Sequence, residues 1–197
     1  PNAATGVDEA PAPGTITPFL HDSSLANNSR VTGTAITISY RPYWPDLGTR
    51  FGLKAEYYNN MNLDGAPVLT RRDATIDFTW DGVARPDPRV NPTQFSARWT
   101  GYVLVPTTGD YTFHLTTDDG TRLWIGNTDA DPLIDTWQEQ APASYDSETY
   151  RLLAGQRLPI KFDFFNNAGG AVARLEWTGP GIAKTVIPPT AHLPADG

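Results

Sequence analysis

From Phe51 onward, apolar and polar positions alternate in short runs. In Leu53-Lys54-Ala55-Glu56-Tyr57-Tyr58 and in Ile76-Asp77-Phe78-Thr79-Trp80, apolar residues recur at every second position. Phe95, Ala97, Trp99, Gly101, Val103 and Val105 share one face of a longer run, with Ser96, Arg98 and Thr100 opposite. Tyr111, Phe113 and Leu115 follow, then Leu123 and Ile125, then Leu133 and Ile134. Two strong stripes come next, Leu158-Ile160-Phe162-Phe164 and Ala171-Ala173-Leu175-Trp177, and Val186-Ile187 closes the series. A period of two puts successive side chains on opposite faces, so these runs predict half-buried β-strands. Turn-forming residues separate them at Pro106–Asp110, Asp118–Gly120 and Asn166–Gly170. Short strands with turn signals about every 8–12 residues predict an all-β domain over 51–197, a sandwich or barrel of short antiparallel strands. No period of about 20–50 residues recurs, which argues against a propeller or solenoid.

Residues 1–50 read differently. The first fifteen are rich in Ala, Pro and Gly without a hydrophobic period, the pattern of a tether or disordered arm. Thr34-Ala35-Ile36-Thr37-Ile38-Ser39-Tyr40 alternates and predicts one strand within this N-terminal arm, ended by Arg41-Pro42-Tyr43-Trp44-Pro45. The chain opens at Pro1 rather than Met and shows no charged-then-apolar leader, which reads as a mature fragment or excised piece of a larger protein.

Composition narrows the function. Seventeen Gly and 18 Pro scattered along 197 residues leave no room for long helices. No apolar run approaches the roughly 18 residues of a membrane span. The absence of Cys excludes disulfides, thiolate metal sites and a cysteine nucleophile. Three His, at 21, 114 and 192, are too scattered for a His-rich zinc site. A net charge of −7 argues against a nucleic-acid partner and suits hard-cation sites built from carboxylates.

Asp118-Asp119 is the sharpest local feature. Adjacent carboxylates repel, and a tight turn ending in Gly120 needs only one Asp. Calcium supplies the missing attraction, since it takes about 6–8 oxygens and favours carboxylates among them. The competing readings are a solvated turn, or one Asp capping the loop while the other hydrogen-bonds inside. Asn166-Asn167-Ala168-Gly169-Gly170 is the natural second loop to complete such a shell, because Asn offers a neutral oxygen and small residues let carbonyls turn inward. An ordinary hairpin turn is its competing reading.

Several segments carry a resemblance. Gly52-Leu53-Lys54-Ala55-Glu56-Tyr57-Tyr58, Phe95-Ser96-Ala97-Arg98-Trp99-Thr100-Gly101-Tyr102, Thr108-Gly109-Asp110-Tyr111-Thr112-Phe113, Thr117-Asp118-Asp119-Gly120-Thr121-Arg122-Leu123-Trp124-Ile125, Ile134-Asp135-Thr136-Trp137 and Arg174-Leu175-Glu176-Trp177-Thr178-Gly179-Pro180-Gly181 occur in order. Together they resemble the PA-fourteen domain, the lectin-like β domain named after a piece of anthrax protective antigen. The likeness covers nearly all of 51–194. It implies a β-barrel or sandwich of the kind found in bacterial glycosidases, adhesins, toxins and fungal flocculins, many of which bind glycans through calcium. In calcium-binding members the paired Asp residues are joined by a cis peptide, so that both reach one ion. An Asn side chain and two carbonyls of the second loop complete the shell. The resemblance therefore implies Ca2+ held by Asp118, Asp119, Asn166, Ala168 and Gly170, with Asn167 as the fallback for Asn166. A sugar would add vicinal hydroxyls near Asp118, Asp119, Asn166, Asn167 and Arg122. The second loop departs from the fungal adhesins: it is short, Gly-rich and without an aromatic residue.

Other motifs read as structural. Asn127-Thr128-Asp129-Ala130-Asp131 starts like an EF-hand, but Pro132 stands where Gly is required and Gln138 where Glu is. Trp80, Trp99, Trp124, Trp137 and Trp177 read as packing residues. Glu56 suits a salt bridge, and Asp77 and Glu176 suit the polar sides of strands; with no nucleophile or phosphate-loop motif, catalysis by this domain is not expected. The expected function is a calcium-dependent carbohydrate-binding module, monomeric within a larger secreted or cell-surface protein, with glycans as partners. The rival is a structural or protein-interaction module of the same fold.

Overall fold

The computed structural model describes residues 51–81 and 83–195; the expected strand at 34–40 and the rest of the N-terminal arm lie outside them. Two antiparallel sheets face each other, so the fold is a sandwich. In the first, strands run in the order β2 (Leu69–Asp73), β1 (Leu53–Tyr58), β4 (Phe95–Leu104), β10 (Arg157–Asn166), β6 (Thr121–Ile125) and β7 (Ile134–Thr136), and β13 (His192–Leu193) also pairs with β4. The second runs β12 (Ile182–Val186), β11 (Ala171–Gly179), β5 (Gly109–Asp118) and β8 (Ala143–Asp146), with β3 (Asp77–Trp80) on β11 and β9 (Tyr150–Leu152) on β5. A single 3₁₀ turn, Pro189–Ala191, is the only helix among the described residues. None there is long and apolar enough to cross a membrane.

The period-two faces meet between the sheets. Ala55 and Tyr57, Phe95, Ala97 and Trp99, and Phe162 and Phe164 bury their side chains from one side; Phe113, Leu115, Ala173 and Leu175 do so from the other. Trp99 is central: the Phe162 ring stacks 5.4 Å away, Tyr57 meets it edge-on at 5.8 Å, and Phe78 of the opposite sheet lies at 5.9 Å. One carboxylate is buried here. Asp73 accepts hydrogen bonds from the Tyr57 hydroxyl at 2.5 Å, Trp99 Nε1 at 2.9 Å and Arg71 Nε at 2.6 Å. A buried charge is tolerable when it is paired and hydrogen-bonded in this way. Burial and the neighbouring Asp73 charge push the Tyr57 hydroxyl far above the ordinary tyrosine range.

Connectivity at one end of the sandwich places the site. β5 crosses to β6 through Asp119 and Gly120, β7 crosses to β8 through residues 137–142, and β10 crosses to β11 through residues 167–170. In each case the flanking strands belong to different sheets, so none of these turns closes a hairpin. Register brings them side by side. Thr121 is paired with both Thr136 and Phe164, Thr117 with both Ala143 and Ala173, and Asp118 with Val172.

Candidate functional site

Asp118 ends β5 half-buried, and its peptide bond to Asp119 is cis. The Asp118 carboxylate makes no hydrogen bond or ion pair with a described residue. Its carboxyl is pushed above the ordinary range, first by desolvation and then by the charge of Asp119. Asp119 is buried and well held: Oδ1 accepts from the Gln140 N–H at 2.9 Å and Oδ2 from the Asn167 N–H at 2.8 Å. That second bond ties the β5–β6 crossover to the β10–β11 crossover. Gly120 follows because nothing larger fits: a Cβ there would lie 2.4 Å from Phe165 Cε1 and 2.8 Å from the Gln138 nitrogen.

Asn166, the last residue of β10, is fully buried. Neither its Oδ1 nor its Nδ2 has a hydrogen-bond partner. Such orphaned polar groups cost about 1–3 kcal/mol each. Asn167 is half-buried and spends its backbone on the loop itself, its N–H on Asp119 and its carbonyl on the Gln94 N–H at 3.0 Å. Ala168 is exposed and Gly170 half-buried, with Gly169 between them at φ 75°.

These residues fit a calcium ion in chemistry. Two carboxylates supply a charge of −2, Asn166 supplies a neutral oxygen with no other use, and the 168–170 backbone supplies carbonyls. Among the described residues no three His, Cys, Asp or Glu side chains gather where an ion could sit, so the neutral oxygens would have to complete the shell.

Arg122 lies on the outer face of the first sheet, in a row of alternating charge. Register aligns Glu56, Arg98, Asp163, Arg122 and Asp135 across five strands. Arg98 forks onto buried Asp163 with two bonds of 2.6 Å, and Arg122 Nε stands 3.2 Å from Asp135 Oδ1. The Arg122 guanidinium also lies 4.5 Å above the Trp137 ring.

Two tryptophans depart from the packing role expected of them. Trp124 is buried, but on the outer face: its N–H donates to the Ala130 carbonyl at 2.8 Å, and Lys161 Nζ lies 3.8 Å over its ring. Trp137 is only half-buried and leans on Phe165 at 4.9 Å, between Arg122 and the crossover loops. Trp80, Trp99 and Trp177 lie in the core. The Asn127–Asp131 segment is the β6–β7 hairpin, with its Thr128 and Ala130 carbonyls engaged by Lys161 and Trp124. Glu56 pairs with Lys54 at 2.6 Å and Asp77 with Arg174 at 2.6 Å, so both carboxylates serve ion pairs. Sequence reasoning missed the 137–142 crossover altogether. It has no apolar period, and only the alternation of sheets shows that it must pass beside Asp119.

Residues 49–191 match the PA14 domain family model. The chain belongs to the PA14 domain family. An anti-sigma-I factor, RsgI3 of Acetivibrio thermocellus, is 38% identical over 150 residues, which are 76% of this chain and 22% of that protein. The structure of an anti-sigma factor domain-containing protein from Clostridium clariflavum aligns with a TM-score of 0.69 at 38% identity, over 75% of this chain and 49% of that one. The chain thus spans well under two thirds of these relatives. The epithelial adhesin 6 A domain of Candida glabrata, solved with Galb1-3GlcNAc, aligns with a TM-score of 0.61 at 16% identity, over 74% of this chain and 88% of that one, and shares the fold.

Proposed function

We propose that this PA14 domain is a non-catalytic, calcium-dependent carbohydrate-binding module of a larger secreted or cell-surface protein. The observation that carries the reading is the orphaned amide of buried Asn166, whose neighbour Asn167 bonds to Asp119, the residue after an Asp118 carboxylate without a partner. An ion held by Asp118, Asp119, Asn166 Oδ1 and the carbonyls of Ala168 and Gly170 would satisfy the Asp118 carboxylate and the Asn166 oxygen, and would leave the Asn166 Nδ2 hydrogens for an oxygen of a ligand or water. It would leave coordination positions for two vicinal hydroxyls of a sugar, hard neutral oxygens that replace water at low cost. The adhesin relative solved with a disaccharide supports a glycan as the ligand class. The anti-sigma factor relatives support the larger-protein setting, with this domain as the ligand-recognising part of a regulatory chain.

A second reading rests on the same relatives: at 38% identity they are named for anti-sigma activity and not for sugars, which favours a structural or protein-interaction module. A glycan array probed in calcium and again in excess EDTA separates the two. The lectin reading expects signals that vanish on chelation and return with calcium; a blank array in calcium contradicts it.

A further inference from the structure

Asp118 has no partner of its own, yet the residues on both sides of it are held by one side chain from the third crossover. Gln140 Nε2 donates to Thr117 Oγ1 at 3.3 Å and to the Asp119 carbonyl at 3.1 Å, while Oε1 accepts from the Tyr145 hydroxyl at 2.6 Å. Both amide hydrogens and the amide oxygen are therefore used. The orientation is forced: turned over, the amide would set its oxygen against the Asp119 carbonyl oxygen. Gln140 also donates its backbone N–H to Asp119 Oδ1. Three hydrogen bonds thus clamp the carboxylate turn from a segment that supplies none of the ion's own oxygens, and a fourth, from Tyr145, holds the clamping amide.

We infer that Gln140, oriented by Tyr145, is a positioning residue for the ion site. It fixes residues 117 and 119 and so aims the Asp118 carboxylate, which no side chain holds. The inference rests on the calcium reading above. Groups that orient metal ligands typically change metal affinity by about 10–100-fold when removed. Only the side-chain part of the clamp is lost in Gln140→Ala, because the backbone bond remains.

The test titrates calcium by calorimetry into the EDTA-stripped 197-residue chain, comparing the parent with Gln140→Ala, Tyr145→Phe, the double variant and Asp119→Ala. Gln140→Ala should weaken calcium binding by about 10-fold. Tyr145→Phe should weaken it by about 3-fold, the effect of one hydrogen bond. Because Tyr145 acts through Gln140, the double variant should bind no more weakly than Gln140→Ala alone. Melting temperatures in EDTA give the second readout, since a merely structural role would lower them without changing calcium affinity. Parent-like affinity in Gln140→Ala overturns the inference, as does an undiminished Tyr145→Phe effect in the Gln140→Ala background. If Gln140→Ala fails to fold, parent-like affinity in Tyr145→Phe overturns it instead. A parent that takes up no calcium, indistinguishable from Asp119→Ala, overturns the underlying reading with it.

Discussion

Two of the polar clusters that the sandwich buries differ in how far the protein satisfies them. Around Asp73, every contact closes inside the chain: Tyr57, Trp99 and Arg71 all donate to one carboxylate. At the crossover end, Asp119 is held, but Asp118 has no hydrogen bond and the Asn166 amide is unpaired at both ends. A closed cluster fixes a fold. A cluster left open at a buried amide and a desolvated carboxylate is costly by itself and gains from a partner that supplies positive charge. The contrast separates a structural carboxylate from candidate ligands better than burial does, because Asp73, Asp119 and Asn166 are all buried.

Breaking the closed cluster should have the largest effect. Asp73→Ala leaves the Trp99 indole without an acceptor and the half-buried Arg71 charge without its carboxylate, with only the Pro86 carbonyl and the Tyr57 hydroxyl still bonded to it. It should cost about 3–5 kcal/mol in a denaturant or thermal melt, with or without calcium. Breaking the open one should act on binding instead. Asp119→Ala removes one of two formal charges from the ion's shell and should abolish calcium and glycan binding while the β circular-dichroism signal persists. Loss of that signal would mean that the pair is structural.

His192 sharpens the comparison as an orphan with no carboxylate beside its free nitrogen. Its ring is fully buried, Nδ1 donates to the Ala74 carbonyl at 3.1 Å, and Nε2 has no partner. Burial drops its pKa to about 4. The folded state thus resists a proton that the unfolded chain accepts near its ordinary value of about 6.5. The stability from keeping His192 neutral is fully present above about pH 6.5 and is lost as pH falls to about 4, at most about 3 kcal/mol. His192→Gln should flatten that part of a stability-versus-pH curve. Asp118 moves the other way. Its raised pKa means that its ionisation opposes the fold as pH rises through its titration range when no ion is bound, while calcium affinity should fall on acidification through that same range.

Asn166→Leu should give a smaller change with opposite signs in two assays. Replacing an unpaired buried amide with an apolar side chain of similar size should raise stability in EDTA by about 1 kcal/mol and weaken calcium binding. An Asn166→Leu variant destabilised in EDTA would place Asn166 in the closed class. The smallest effect belongs to Arg122→Ala. Its ion pair with Asp135 is largely solvent-screened, so calcium affinity should be unchanged and only the pattern on a glycan array should shift.

Much of the interior was legible in the sequence, because period-two runs such as Phe95–Val103 and Leu158–Phe164 place their apolar side chains in the core. β2, β8, β9 and β13 escaped notice: Leu-Thr-Arg-Arg-Asp and Ala-Ser-Tyr-Asp are edge or flanking strands with too few apolar positions to alternate. The carboxylate pair and Asn166 stood out as residue types, yet nothing in their spacing said that their loops would touch. That proximity comes from three changes of sheet at one end of the sandwich, a long-range consequence of strand order. The place of Gln140 and of Trp137 beside that pair was not legible for the same reason, and only the register pairing Thr121 with Thr136 and Thr117 with Ala143 brings their loop to Asp119.

The most direct measurement is a high-resolution crystal structure of the chain grown in millimolar calcium. The account predicts one ion at roughly 2.3–2.6 Å from carboxylate oxygens of Asp118 and Asp119 and from Asn166 Oδ1, with carbonyls of the 168–170 loop completing the protein's share. A map showing the Asn166 amide bridged by water, with no ion between the two loops at that calcium concentration, would contradict it.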